Sequence, residues 1–388
     1  MVDRTYLDYA ATTPVDPRVL EKMLPYFSDI FGNPSSIHTF GQQAEAALET
    51  ARNMVAGVLN CGQDEVIFTS CGSESDNLAL RGVALAARKI TNANHILISP
   101  VEHHAVSRTA EQLATLHGFE VEYLPVDRTG YVDPDAVAAR LRPDTAIVSV
   151  IYANNEIGTI NPIAEIGAVC REHGVSFHTD AVQAAAYLSV DVEKLNIDLL
   201  SIGAHKFYGP KGVGALYIRK GTPILPIITG GSQEIGLRAG TSNIPLIVGL
   251  AEALRLASEE KHSRSALLRP LRDKIIETVL EEVSDSDLTG HPEMRMPNHA
   301  SFVFRSVDGN LLLSMLDIAG FACSSGSACK TGNPEPSEVL LALGYPHEWA
   351  YGSLRVTLGT TSNYSQIESF LAALPNLIQR NRTLVSKR

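Results

Sequence analysis

The sequence predicts an α/β fold, with a large domain built on a mostly parallel seven-stranded sheet and a smaller α+β domain after it. Seven short apolar runs, at 66–70, 95–99, 121–125, 146–152, 175–179, 199–202 and 213–218, have strand length. Helical patterns at 74–88, 105–117, 134–141 and 162–173 separate most of them, and strand–helix alternation implies parallel pairing. After about residue 240 this alternation stops.

The runs are apolar throughout, as expected of strands covered on both faces. Right-handed crossovers align the strand C-termini along one edge, where open α/β sheets bind ligands. Beyond residue 240 come two long helical patterns, 247–261 and 268–283, then a strand at 300–304 and a helix at 310–318. A Gly/Ser/Cys/Pro-rich stretch at 323–336, a strand at 354–358 and a helix at 364–381 follow. The expected division is a large cofactor-binding domain over 16–260, with 1–15 and 261–388 forming the small domain.

Composition narrows the function. The chain has 388 residues, 45% of them hydrophobic and 19% charged, the balance of a globular enzyme. A formal charge of −11 disfavours nucleic acid and membrane surfaces as partners. No apolar run has the ~18 residues of a membrane span, and the first residues lack the apolar core of a secretory leader. Five scattered cysteines read as free thiols in a reducing compartment, so a cytoplasmic setting is expected.

Several residues at the predicted edge bear chemistry. Lys206 follows the 199–202 strand and precedes Gly209-Pro210-Lys211-Gly212. Alone it reads as a solvated loop lysine; partly desolvated, it is suited to a Schiff base. Asp180 ends the strand before it. It serves either as a helix N-cap or as the carboxylate that a pyridoxal ring nitrogen needs. Beside Lys206 the second reading is the better one. Gly72 and Ser73 open a helical pattern after a strand, which is an anion cradle or a plain capped turn. The P-loop pattern is absent. His103, in Glu102-His103-His104, offers a ring to stack on a cofactor, and no ligand pair at zinc spacing accompanies it, so no metal is expected. Cys329 lies in a small-residue stretch next to Lys330, a setting for a reactive thiolate, whereas most free cysteines are buried.

The segments YLDYAATTP, FGNPSSIH, SCGSESDN, VEHHAV, YANNEIG, FHTDAVQ, AHKFYGPKGVGALY, GGSQEIGLRAGTSN, SSGSACKTGNPEPSEVL and LRVTLG occur in this order. With them the chain resembles group I cysteine desulfurases of the NifS/IscS type, in the class V aminotransferase family, over nearly its whole length. The resemblance implies a fold-type-I homodimer that uses pyridoxal 5'-phosphate to convert L-cysteine to L-alanine. Sulfur would pass as a persulfide on Cys329 to an acceptor protein, such as an iron–sulfur scaffold, serving iron–sulfur cluster assembly, tRNA thiolation or DNA sulfur modification. The resemblance implies that Lys206 carries the cofactor and moves the Cα proton, that His103 stacks on the ring and that Asp180 pairs with its nitrogen. Gln183 and Asn155 would touch ring substituents and substrate. Gly72, Ser73 and His205 would hold the phosphate, with Thr241 reaching it from the partner subunit. Arg355 would hold the substrate carboxylate, helped by Asn33 and Asn155. Three positions depart from the pattern: Gly203 has no hydroxyl for the phosphate, Ile235 replaces a commoner arginine, and Cys323 adds a thiol near Cys329. An aminotransferase and a selenocysteine lyase share the scaffold. A non-catalytic platform would need neither Lys206 nor Cys329.

Overall fold

The computed structural model describes residues 4–326 and 336–386. Its strands are β1 (Thr5–Tyr6), β2 (Val66–Thr69), β3 (His95–Ile98), β4 (Glu120–Tyr123), β5 (Thr145–Ser149), β6 (Ser176–Asp180), β7 (Leu199–Gly203), β8 (Gly214–Ile218), β9 (Ser286–Leu288), β10 (His299–Phe304), β11 (Phe321–Ala322) and β12 (Ser353–Thr357). Seven of them form one sheet in the order β2-β8-β7-β6-β5-β3-β4. Only β8 runs against its neighbours, and the other pairings within that sheet are parallel. Strands β2, β3, β5, β7 and β8 are buried at every position, matching their apolar sequences. β4 is the exception: at the sheet edge, its Glu120 and Tyr123 face solvent. Charge on an open edge discourages further strand pairing.

The expected helices form at Gly72–Thr91, His104–His117, Pro134–Ala138 and Ile163–Glu172. One long helix, Thr39–Leu59, goes beyond the sequence expectation; its buried seam includes Ala44, Ala47, Leu48, Ala51 and Val55. It packs along Ile244–Glu282. That second element corrects the expectation of separate helices at 247–261 and 268–283, because it is a single helix of 39 residues with Pro270 inside. The turn between the expected halves stays helical because Arg264 is buried there. Its guanidinium donates to Glu260 Oε2 at 2.8 Å and lies over the Tyr208 ring, 4.9 Å from the centroid. Pro270 removes one N–H from the ladder without breaking it. At 1.5 Å per residue the helix is about 58 Å long, and it passes residue 260 without interruption.

The C-terminal part carries an antiparallel sheet, β12-β10-β9, and β1 pairs in parallel with β11. Phe177, Phe207, Phe302 and Tyr217 are among the largest fully buried side chains. Each such side chain contributes roughly 1.5–3 kcal/mol. Among the described residues no helix is long and apolar enough to cross a membrane.

A buried ion pair fixes the segment that carries Ile235 and Thr241. Arg52 meets Glu234 in a two-point contact at 2.8 and 2.9 Å, and Glu234 also accepts from the Phe68 N–H at 2.9 Å. The next residue, Ile235, has φ 56 and ψ 30, a left-handed conformation costly for a β-branched side chain. The anchors on Glu234 hold it there. Glu234→Ala leaves Arg52 buried without its partner and is expected to cost about 3–5 kcal/mol, measured by urea unfolding. Ile235→Gly is expected to raise stability in the same assay.

Candidate active site

Five strands deliver residues to one edge of the large sheet. After β2, Cys71 is extended and the helix begins at Gly72. A Cβ at position 72 would lie 2.6 Å from Val182 Cγ2, so only glycine lets this helix start approach the segment after Asp180. After β3, His103 caps the next helix, its Nδ1 accepting from the Ala105 N–H at 3.1 Å. That bond leaves the proton of the neutral ring on Nε2. After β5, Asn154 locks the turn: Oδ1 accepts from Glu156 and Ile157 N–H at 2.8 and 2.9 Å, and Nδ2 donates to the Val101 carbonyl at 2.7 Å. Gly158 completes that turn at φ 76. Asp180 ends β6 and its Oδ1 accepts from the Val182 N–H at 2.9 Å. Lys206 lies on a short turn after β7. Its Nζ donates to the carbonyls of Ala10 and Ala11 at 2.6 and 2.7 Å, and Gln183 donates to the same Ala10 carbonyl at 2.8 Å.

These residues enclose a cavity of about 400 Å³. Gly72, Ser73, His103, Asn155, Asp180, Gln183, His205, Lys206 and Arg355 all line it. Asn33 and Thr241 do not. Asn33 is exposed, accepting from the Ser35 N–H at 2.9 Å, and Thr241 lines a smaller cleft with Arg238 and Ser242. Cys329 lies outside the described residues. The residues on either side of its segment, Gly326, Pro336 and Ser337, line the cavity.

Electrostatics divide the cavity. Burial raises Asp180 from its ordinary value, against the opposing pull of His103, the Val182 N–H and Lys206. Burial lowers His103. His205 is pushed down to about 4 by burial and then by Lys206 and Lys211, so its ring is neutral. Arg355 sits on β12 with its side chain buried. It donates to Asp8 Oδ1 and to the Asn155 carbonyl, each at 2.9 Å, while its Nε has no hydrogen-bond partner among the described residues. A carboxylate entering the cavity would satisfy that nitrogen. The backbone of Arg355 bonds Ser324 in both directions, which roots the chain leading to Gly326 beside it. Cys323 packs against the core there, and burial pushes its thiol well above the ordinary range. Gly203 has an ordinary extended backbone, and a Cβ on it would face the Gly72 nitrogen at 3.4 Å.

Sequence reasoning passed over five contributors: the Ala10 and Ala11 carbonyls, Asp76, Glu102 and Glu156. Their residue types carried no signal, since each looks like a surface or spacer residue until the fold buries it. Glu102 Oε1 accepts from Ile151 N–H at 2.7 Å and from the Ser99 hydroxyl. Glu156 Oε2 accepts from Ser337 Oγ at 2.5 Å.

The donor set suits pyridoxal phosphate. The start of a 20-residue helix at Gly72 offers N–H groups to a phosphate. Asp180 offers a carboxylate to a ring nitrogen, and Lys206 an amine to an aldehyde. Comparison with known proteins agrees. The Aminotransferase class-V family model matches residues 5–370. The chain belongs to the class-V aminotransferase family, among its cysteine desulfurases. A cysteine desulfurase IscS from Dictyoglomus turgidum is 48% identical over 384 residues, covering 99% of this chain and 97% of the relative. A solved NifS-like protein superposes with a TM-score of 0.90 at 36% identity, covering 97% of this chain and all of that one. A structure described as SspA in complex with cysteine gives 0.79 at 37% identity, covering 91% and 98%. The fold-type-I architecture of this family is the one described above, with its mostly parallel seven-stranded sheet.

Burial pushes Glu102 from 4.5 up to about 8. The folded protein therefore holds a proton that the unfolded chain releases, and stability falls as pH rises from about 4.5 to about 8. Glu102→Gln is expected to flatten that fall by up to ~1.4 kcal/mol per pH unit. Urea unfolding of both proteins near pH 5.5 and pH 8 measures it.

Proposed function

We propose that this chain is a pyridoxal-phosphate-dependent cysteine desulfurase that converts L-cysteine to L-alanine, with Cys329 taking the sulfur as a persulfide. The observation that carries the reading is the convergence of Lys206, Asp180, His103 and the Gly72–Ser73 helix start on one cavity with Arg355 opposite. The flanks of the Cys329 segment at the same cavity add support.

Gly72, Ser73 and His205 would hold the cofactor phosphate, Asp180 its ring nitrogen, His103 its face and Lys206 its aldehyde carbon. When bound, the cofactor supplies an electron sink for the substrate α-carbon, stronger with its nitrogen protonated. The chain's own residues do the rest. Arg355 receives the substrate carboxylate through the Nε left open by Asp8 and the Asn155 carbonyl, and Asn155 and Gln183 border the substrate. Lys206 removes the Cα proton and returns one; its contacts with the Ala10 and Ala11 carbonyls hold Nζ in place. The Cys329 thiolate attacks the substrate sulfur. An S–S bond forms, the Cβ–S bond breaks, and the electron pair left on Cβ is protonated, so alanine departs and the protein keeps one added sulfur. The persulfide then moves to an acceptor, for which an iron–sulfur scaffold protein is the proposed class.

The same reading makes the protein a cytoplasmic homodimer, with Thr241 completing the partner's cavity. Its support is an apolar patch in which Phe27, Phe31, Ile37 and Phe40 are each more than half exposed. It also divides the chain into the large domain, 16–260, and the small domain, 1–15 with 261–388.

Purified protein with pyridoxal phosphate is expected to show a visible absorption band and to release equimolar alanine and sulfide from L-cysteine with a thiol reductant. Lys206→Ala is expected to lose the band. Cys329→Ala should keep it and form no persulfide, and Arg355→Lys should raise KM for cysteine by about tenfold or more, because a lysine cannot hold Asp8 and the Asn155 carbonyl while offering a further N–H to the carboxylate. A band without sulfide would point to an aminotransferase instead. Phe31→Glu combined with Ile37→Glu is expected to shift the protein toward monomer in analytical ultracentrifugation.

A further inference from the structure

The cavity floor holds a second acid beside Asp180. Asp76 lies in the second turn of the helix that starts at Gly72, is 1% exposed, and faces inward under the site. One oxygen of Asp76, one of Asp180 and a ring nitrogen of His103 all lie within 4.8 Å of one another. Asp76 Oδ1 has no hydrogen-bond partner among the described residues, and its nearest basic group is His178 Nε2 at 3.6 Å.

His178 does not neutralise it. The ring is completely buried, with Nδ1 on Ser149 Oγ at 2.8 Å and Nε2 on Ser201 Oγ at 3.0 Å, so hydroxyls hold both nitrogens. Burial pushes this histidine down to about 3, which keeps it uncharged. His103 is likewise lowered by burial. Desolvation is the main influence on Asp76, and Asp180, Glu102 and Cys71 further disfavour a negative charge there, while the Ser201 hydroxyl favours it. Lys206, the nearby cation, acts on Asp180 and His103. Two carboxyl groups this close, away from water and facing neutral imidazoles, do not both ionise.

We propose that Asp76 is a carboxylic acid in the working protein and a positioning residue for Asp180, holding the shared proton so that Asp180 is the single anion under the cofactor nitrogen. The proposal rests on the reading that Asp180 meets that nitrogen. With both acids charged, the floor would carry two negative charges for one ring cation. With the proton on Asp180, the ring nitrogen would meet a neutral group. Asp180 accepts from the Val182 N–H at 2.9 Å and feels the Lys206 charge, both of which favour its anion, whereas Asp76 Oδ1 has no hydrogen-bond partner among the described residues, so Asp76 is the one that keeps the proton.

The test uses the full-length protein, with and without pyridoxal phosphate. Infrared spectra of protein carrying carboxyl-13C aspartate read the C=O stretch of a protonated buried aspartic acid, and the label separates it from Glu102 and Glu156. The expected result at about pH 8 is one such band, lost in Asp76→Asn and retained in Asp180→Asn. Cofactor affinity is read from the visible band. Asp76→Ala is expected to weaken it by about tenfold, and Asp76→Asn, neutral and of the same shape, to restore it to within about threefold. Loss of the infrared band in Asp180→Asn with retention in Asp76→Asn would overturn the proposal, as would absence of any protonated aspartate in the unsubstituted protein. That last measurement decides the matter even if Asp76→Asn does not fold. Failure to take up pyridoxal phosphate at all would instead sink the functional reading, while the infrared result still reports on the proton.

Discussion

Arg355 joins three parts of the chain that are far apart in sequence. Its guanidinium reaches Asp8 on one side and the Asn155 carbonyl on the other, and its backbone pairs with Ser324. The N-terminal strand, the edge of the large sheet and the root of the Cys329 segment therefore meet at one buried cation. A buried arginine needs both a counter-ion and donors spent well, and Asp8 with Asn155 O meets that need while Nε stays open. The same residue thus supports the architecture and faces the substrate.

The rest of the cavity follows a second constraint, the scarcity of charge. Burial disfavours charge on three of its histidines, His103 and His205 at the walls and His178 beneath. Burial pushes its acids toward the protonated form, with Glu102 and Glu156 raised to about 8 and about 7. A polar but weakly charged interior lets the few ionised groups act at full strength, since little water or counter-charge screens them. Lys206 shows the opposite device: backbone carbonyls from Ala10 and Ala11 orient its amine without adding a charge.

The sheet was legible because buried parallel strands are written as unbroken apolar runs, and β2, β3, β5, β7 and β8 read that way. β4 was legible only by its place in the alternation, because an edge strand needs one apolar face and Glu120–Tyr123 shows little more. The helix at Thr39–Leu59 was missed, since a seam made largely of alanine gives weak contrast. The two helices expected at 247–261 and 268–283 are one, because the charged stretch between them is not all solvated: Arg264 is buried there. At the site, Lys206, Asp180 and Gly72 were legible from their places after strands. Asp76 was not, because an aspartate inside a helical pattern looks solvated until its neighbours are known. The pairing of β1 with β11 had no local signal, depending as it does on residues more than three hundred apart.

That distance sets the order in which the site can come into being. Asp8 and Arg355 are 347 residues apart, and Ala10 N–H bonds Thr357 Oγ1 across the same gap. Closing so long a loop carries an entropic cost that only a nearly complete chain can offset. On the ribosome the large sheet can assemble while residues 5–11 still wait for their partners. Lys206 then lacks neither its strand nor its turn, but the segment that steadies its amine is held only from one side, by Gln183 and through Thr13 at His205, and lacks the Arg355 and Thr357 contacts that fix Asp8 and Ala10. The reactive amine is thus set in its working geometry late, and an interrupted chain would carry the lysine without the means to aim it.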